Sequence, residues 1–406
     1  MGGVGWRAED GGPGRPQQVP GWLAGRPEPT TALSVTTRLA PVATMVVGDP
    51  DGPSYLLRHT AGPDGRAVVE RIDPVTLEPE ATSPELAGGP VWPGGAAVAH
   101  DGSVHVVFGN HAHRLDADCR PLASRTLPRH RPYNSFVTLP DGHLVTKDFG
   151  GATPAQPVAA DEREPCELVV LDPVTLEVVD ALVMPEASIA RLTADGDAVY
   201  VVGDTSLLRA RWDGRRLTLD DGFRARYRTL DGQGYGWDCT IAAGAAWLLD
   251  DGEGAERYSG TLRGHGVATA PLHLVRVDLA DGAVALAEVC GRPGGLVANP
   301  PLVDEARGVA VGFDSGNGVI AGFDVDTLDR RWRRDQDHGS HLLLFADGGE
   351  LVCGDGADVV VLDVATGEER ARADTGLGVQ SVVFPAPGRG CAYVVAFTGV
   401  ARIAPA

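Results

Sequence analysis

From Ala40 to the end of the chain, short apolar runs alternate with polar turns at the spacing of strands. The runs VHVVFGN, LVVLDPVTL, VIAGFDVDTL and VVVLDVATG share one plan: consecutive apolar residues, an Asp or Gly, a tight turn, then a strand whose charges face outward. No stretch holds a 3.6-residue apolar period over ten residues, and 54 glycines and 30 prolines punctuate the chain. Asp-Gly and other Gly-rich pairs between successive runs are hairpin signals. The unit recurs eight times, from VATMVVGDPDGPSYLLRH to QSVVFPAPGRGCAYVVAF with GVARIAP. Its turn residues Asp73, Asp116, Asp172, Asp213, Asp278, Asp324 and Asp363 lie 39 to 65 residues apart, which suits four-stranded propeller blades carrying loop insertions. The pattern therefore predicts an all-β chain forming a single β-propeller of eight four-stranded blades, with seven as the alternative count. The last unit is one strand short, and TALSVTTRL at residues 31–39 is a spare strand. If that N-terminal strand completes the final blade, the ring closes and no long edge is left open. The propeller domain is then 31–406. Residues 1–30, rich in Pro, Gly and charge, are expected to be a disordered N-terminal segment.

Composition narrows the partners. A formal charge of -20 argues against a nucleic acid or an anionic membrane, since both need clustered positive charge. Cys119, Cys166, Cys239, Cys290, Cys353 and Cys391 stand far apart, with no CxxC or adjacent pair. They read as buried thiols in a reducing compartment, and no zinc motif is indicated. The N-terminal stretch holds no apolar run long enough for a signal-peptide core or a membrane span, so a cytoplasmic location is expected.

The run of strand, Asp-x-x-Thr-Gly or Asp-x-x-Thr-Leu, and a strand that can end in Trp, as in FDVDTLDRRW and LDVATGEER, resembles the repeat of quinoprotein-like propellers. The likeness is clearest over residues 297–402 and weaker over 42–180. That group includes pyrroloquinoline quinone (PQQ) dehydrogenases and many propellers without the cofactor. For the quinone, the resemblance implies adjacent cysteines over the ring, a metal-binding Glu/Asn/Asp set and a tryptophan floor. The chain has no adjacent cysteines, so PQQ is not expected.

In a propeller the innermost strand of each blade lines the axial channel, and residues just before each first strand converge on one mouth. Reading back from each first turn yields Trp92, Tyr133, Asn134, Ser135, Ser188, Arg191, Trp237, Asp238, Asn299, His338, Ser340, His341 and Gln380. Asn134, Asp238 and Asn299 are hard oxygen donors on separate strands, as calcium or magnesium requires. His338 and His341, three apart on an extended strand, face opposite ways unless Gly339 bends the chain, and one of them is a candidate general base. Lys147, the one lysine among 34 arginines, is a candidate for a role needing a compact or titratable cation. The His111 and His113 pair reads as an outward-facing hairpin. The insertion at 250–271, with Glu253, Arg257, Tyr258, Arg263 and His265, reads as a binding loop or a bare hairpin tip.

GxSxG, HExxH, P-loop and strand-GxGxxG-helix signatures are absent. The expectation is a small-molecule enzyme using the axial pocket for acid/base chemistry: hydrolysis of a lactone or ester, elimination, isomerisation or cyclisation. Asp238, His341, His338 and Lys147 are its catalytic candidates. Asn134, Ser135, Ser188, Arg191, Asn299 and Gln380 would orient substrate, and Trp92, Tyr133 and Trp237 would wall it. The alternative is a non-catalytic scaffold that binds a protein or peptide on one face.

Overall fold

The computed structural model describes residues 6–23, 32–49, 52–60, 64–150, 162–255, 261–297, 299–337, 341–378, 382–386 and 390–406. Eight antiparallel sheets follow one another as blades. Their innermost strands are Ala43–Gly48, Gly95–Val98, Tyr133–Thr138, Thr193–Asp195, Thr240–Ala242, Leu302–Asp304, Leu343–Phe345 and Val382–Ala386 for blades one to eight. Each inner strand adjoins the next, and the eighth adjoins the first, so the ring is closed. Among the described residues no helix is long and apolar enough to cross a membrane.

Middle strands are buried along their whole length, as in Val104–Phe108 and Val309–Asp314, because neighbouring blades cover both faces. Outer strands such as Pro121–Thr126 alternate between half-buried and exposed. Closure follows the expected route: Leu33–Leu39 pairs antiparallel with Gly399–Pro405, running from Leu33 opposite Pro405 to Leu39 opposite Gly399. The N-terminal strand is thus the outermost strand of blade eight.

The repeated Asp caps the turn between third and fourth strands. Its Oδ1 accepts the N–H two residues on at Asp73, Asp116, Asp172, Asp213, Asp278, Asp324 and Asp363, at 2.8–3.0 Å. Trp332, in the outer strand of blade six, donates its Nε1–H to the Val364 carbonyl of blade seven at 2.9 Å. Glycine is required beneath it, since a Cβ at Gly322 or Gly367 would come within 2.2 or 2.5 Å of the indole.

Residues 6–23 overturn the expectation of a loose tail; residues 1–5 and 24–30 lie outside the described set. This strap crosses the inner strands blade by blade. The carbonyls of Trp6, Arg7, Pro13, Gly14, Gln17 and Val19 accept the N–H groups of Gly48, Val98, Ala194, Ile241, Leu344 and Ala346 at 2.6–3.0 Å. Gln18–Val19 adds a parallel strand to blade seven. Trp6, Glu9, Asp10, Arg15 and Gln17 are buried. Hydrophobicity did not reveal this order, because the apolar anchors Trp6, Val19 and Leu23 are widely spaced and backbone bonds and paired charges hold much of the rest.

Candidate axial site

The strap carries a charged cluster into the axis. Arg15 donates Nε–H to the Leu192 carbonyl at 2.8 Å, Nη1 to Asp10 at 2.5 Å and Nη2 to Glu9 at 3.3 Å. Arg191 sits beside Glu9 at 3.2 Å and Asp238 at 3.3 Å, with the Asn134 carbonyl 3.4 Å from its Nε. Asp238 is fully buried, accepts the Arg191 backbone N–H at 2.5 Å and lies 3.9 Å from Arg15. His341 Nδ1 meets Asp10 Oδ1 at 2.8 Å.

Environment sets the protonation of these groups. Burial raises the Glu9 carboxyl above its ordinary range, against the pull of Arg191 and Arg15. Burial would also raise Asp10, but His341, Arg15 and Arg191 outweigh it and hold that carboxyl well below the usual range. An ionised Asp10 can only accept, so His341 carries a proton on Nδ1 in that bond, which leaves Nε2 unengaged by Asp10. Asp10, Arg15, Gln17 and His341 all have left-handed backbones, with φ of 51° to 54°. Each costs about 1–2 kcal/mol outside glycine, and each is held by the cluster's bonds; such strain gathers at functional sites.

The sequence-derived candidates divide. Asn134, Arg191, Asp238 and His341 are joined through Glu9, Asp10 and Arg15. Asn134 Oδ1, Asn299 Oδ1 and Trp237 Nε1 are buried without a hydrogen-bond partner among the described residues. Trp237 packs with Phe149, on which Trp92 stacks at 4.7 Å. Ser135 ties blades three and four, its Oγ accepting the Leu192 N–H. Ser188 donates to the Val202 carbonyl. Tyr133 lies instead in the core between blades, beside Val107, Phe136 and Leu144. Lys147 is buried and donates to the Asp148 and Ser188 carbonyls at 2.9 and 3.0 Å, behind the axial wall. Desolvation lowers its pKa, partly offset by Cys166, Asp148 and Asp238. His338, Ser340 and Gln380, with Arg257 and Tyr258 of the insertion, lie outside the described residues. His111 and His113 stack on each other and bond the Gly88 and Ala87 carbonyls, so their hairpin is not an open clamp. Glu9, Asp10 and Arg15 were missed; three charges close to a tryptophan in a Pro/Gly-rich stretch were the available signal.

Among the described residues no group of three His, Cys, Asp or Glu side chains is placed to hold a metal ion. The described architecture is an eight-bladed all-β propeller with a polar, strap-filled axis. No family model and no curated protein matches the sequence. Solved structures match the fold at low sequence identity. BamB from Moraxella catarrhalis is similar at TM-score 0.59 and 14% identity, covering 92% of this chain and 97% of its own. The quinohemoprotein alcohol dehydrogenase from Comamonas testosteroni is similar at 0.64 and 12%, covering 98% and 80%. The computationally designed Ika8 protein is similar at 0.60 and 10%, covering 91% and 98%.

Proposed function

We propose that the axial pocket binds a small, hydroxyl-rich lactone or ester and hydrolyses it by acid/base chemistry. The observation that carries the reading is the set of buried polar atoms without a hydrogen-bond partner among the described residues, Asn134 Oδ1, Asn299 Oδ1 and Trp237 Nε1. An orphaned buried acceptor costs about 1–3 kcal/mol unless a ligand supplies a donor, and two amide oxygens suit substrate hydroxyls. His341 Nε2 takes a proton from water as its oxygen attacks the acyl carbon. The Arg191 guanidinium steadies the charge on the acyl oxygen. The proton passes to the leaving alkoxide as the C–O bond breaks, releasing an alcohol and a carboxylate. Asp10 acts through His341, as a positioning residue.

No metal or quinone enters the proposal. A calcium or magnesium ion on Asn134, Asp238 and Asn299 would meet two guanidiniums already on Asp238. The quinone would need adjacent cysteines, and the six here are separate, unpaired and buried.

A panel of sugar lactones and simple esters tests this. Turnover is expected, falling about 100-fold or more in His341→Gln with the melting temperature unchanged. Turnover indifferent to His341→Gln would contradict it. A second reading rests on blade three, whose outer strand exposes Val178, Val179 and Val183 at an open edge suited to a partner's strand. A folded protein inert on the whole panel would leave that protein-binding reading in its place.

A further inference from the structure

On the face that carries the turns at Asp101–Gly102 and Asp141–Gly142, a cleft of about 600 Å³ opens between blades two and three, with the strap as its inner wall. That volume suits a small ligand. Val98, Leu139, Pro140 and Val174 make its walls apolar. Glu9 and Asp10, which hold the axial cluster, are not among its lining residues, so the cleft is distinct from that cluster.

The polar rim is biased toward donors. Arg7 Nη1 donates to His100 Nδ1 at 2.6 Å, and both residues line the cleft. A guanidinium can only donate, so His100 accepts at Nδ1 and carries its proton on Nε2. Arg7 Nε is engaged by Asp49. This leaves Arg7 Nη2 and His100 Nε2–H as a pair of donors at the rim. His105 donates Nε2–H to the Pro173 carbonyl at 2.7 Å, and burial lowers its pKa, so it adds no charge. The lining carboxylate, Asp101, is matched by Ser103 and by Arg114 at 2.8 Å.

We infer that this cleft is a second ligand site, taking a flat apolar molecule that bears one carboxylate, with the ring against Val98, Leu139 and Val174 and the carboxylate on Arg7 and His100. The assignment stands apart from the axial chemistry and does not need it.

Calorimetric titration with 2-naphthoate and with its neutral isostere 2-naphthalenemethanol tests the site on the full chain. Wild type is expected to bind naphthoate more tightly than the alcohol. Arg7→Gln should weaken naphthoate about tenfold, the scale of one charge-assisted hydrogen bond, and leave the alcohol within about twofold. Val174→Trp, at an exposed turn position, should abolish both by filling the cleft while melting is unchanged. No binding of naphthoate, equal loss of both ligands in Arg7→Gln, or full binding in Val174→Trp would overturn the assignment.

Discussion

Asp251 illustrates what burial does to a carboxyl that nothing neutralises. It is almost fully buried with φ 60°, accepts the Gly234 N–H at 3.1 Å through Oδ1, and its Oδ2 has no partner among the described residues. Burial first, then the charges of Asp250, Glu253 and Asp314, push its pKa up to about 9 from 3.8. A carboxyl whose folded pKa is raised favours the fold fully below its unfolded value, and that contribution drains away as pH rises through the folded value. Stability should therefore decline between about pH 4 and pH 9 on its account. Asp251→Asn keeps the Oδ1 acceptor and removes the titration. Its melting temperature should fall less steeply than that of wild type over this range, with a gain over wild type on the order of a few kcal/mol at pH 8 relative to pH 5. Parallel pH dependences for the two proteins would show that Asp251 is not the group responsible. Residue-scale chemistry of this kind is poorly legible in sequence. DDGEG at 250–254 reads as a polar turn, and only the surrounding blades make it a desolvated one. Lys147 was conspicuous as a lone lysine, yet what it touches is two backbone carbonyls.

At the scale of elements, sequence was a good guide because the instructions are local. Each turn Asp bonds an N–H two residues away, so its meaning survives without knowledge of the rest of the chain. The following turn position is left-handed: Gly367 in blade seven, but Leu77, Leu176 and Leu328 in blades one, three and six, with φ of 59° to 66°. The leucines accept strain in exchange for burial, completely at Leu77 and partly at Leu328. Leu77→Gly should lose about 2–3 kcal/mol by denaturant melting, because the vacated core outweighs about 1–2 kcal/mol of relieved backbone strain. Leu328→Gly should change stability by less than about 1 kcal/mol. Equal losses at the two sites would mean that burial does not decide the difference. The strand at 33–39 was legible for a related reason: its β-branched residues mark it as a strand, and blade eight lacked one.

At the scale of the whole molecule, the ring was legible and the axis only in part. Arg191, Asp238, Asn134 and His341 could be placed because each sits at the start of an inner strand, a position the repeat defines. The strap could not, since Arg15 finds the Leu192 carbonyl and Gln17 the Pro301 carbonyl across 177 and 284 residues, contacts with no periodic signature. Yet the strap supplies Glu9, Asp10 and Arg15, and so builds the axial site. Hydrogen exchange read by mass spectrometry tests this most directly. The amides of Arg15 and Gln17, bonded to the Gly12 and Asp10 carbonyls, and those of Ala194, Ile241 and Leu344, bonded to the strap, should exchange as slowly as the middle strands of the blades. Exchange of residues 6–23 within seconds, with Ala194 and Ile241 equally open, would mean that the strap leaves the axis in solution and that Asp10 does not hold His341.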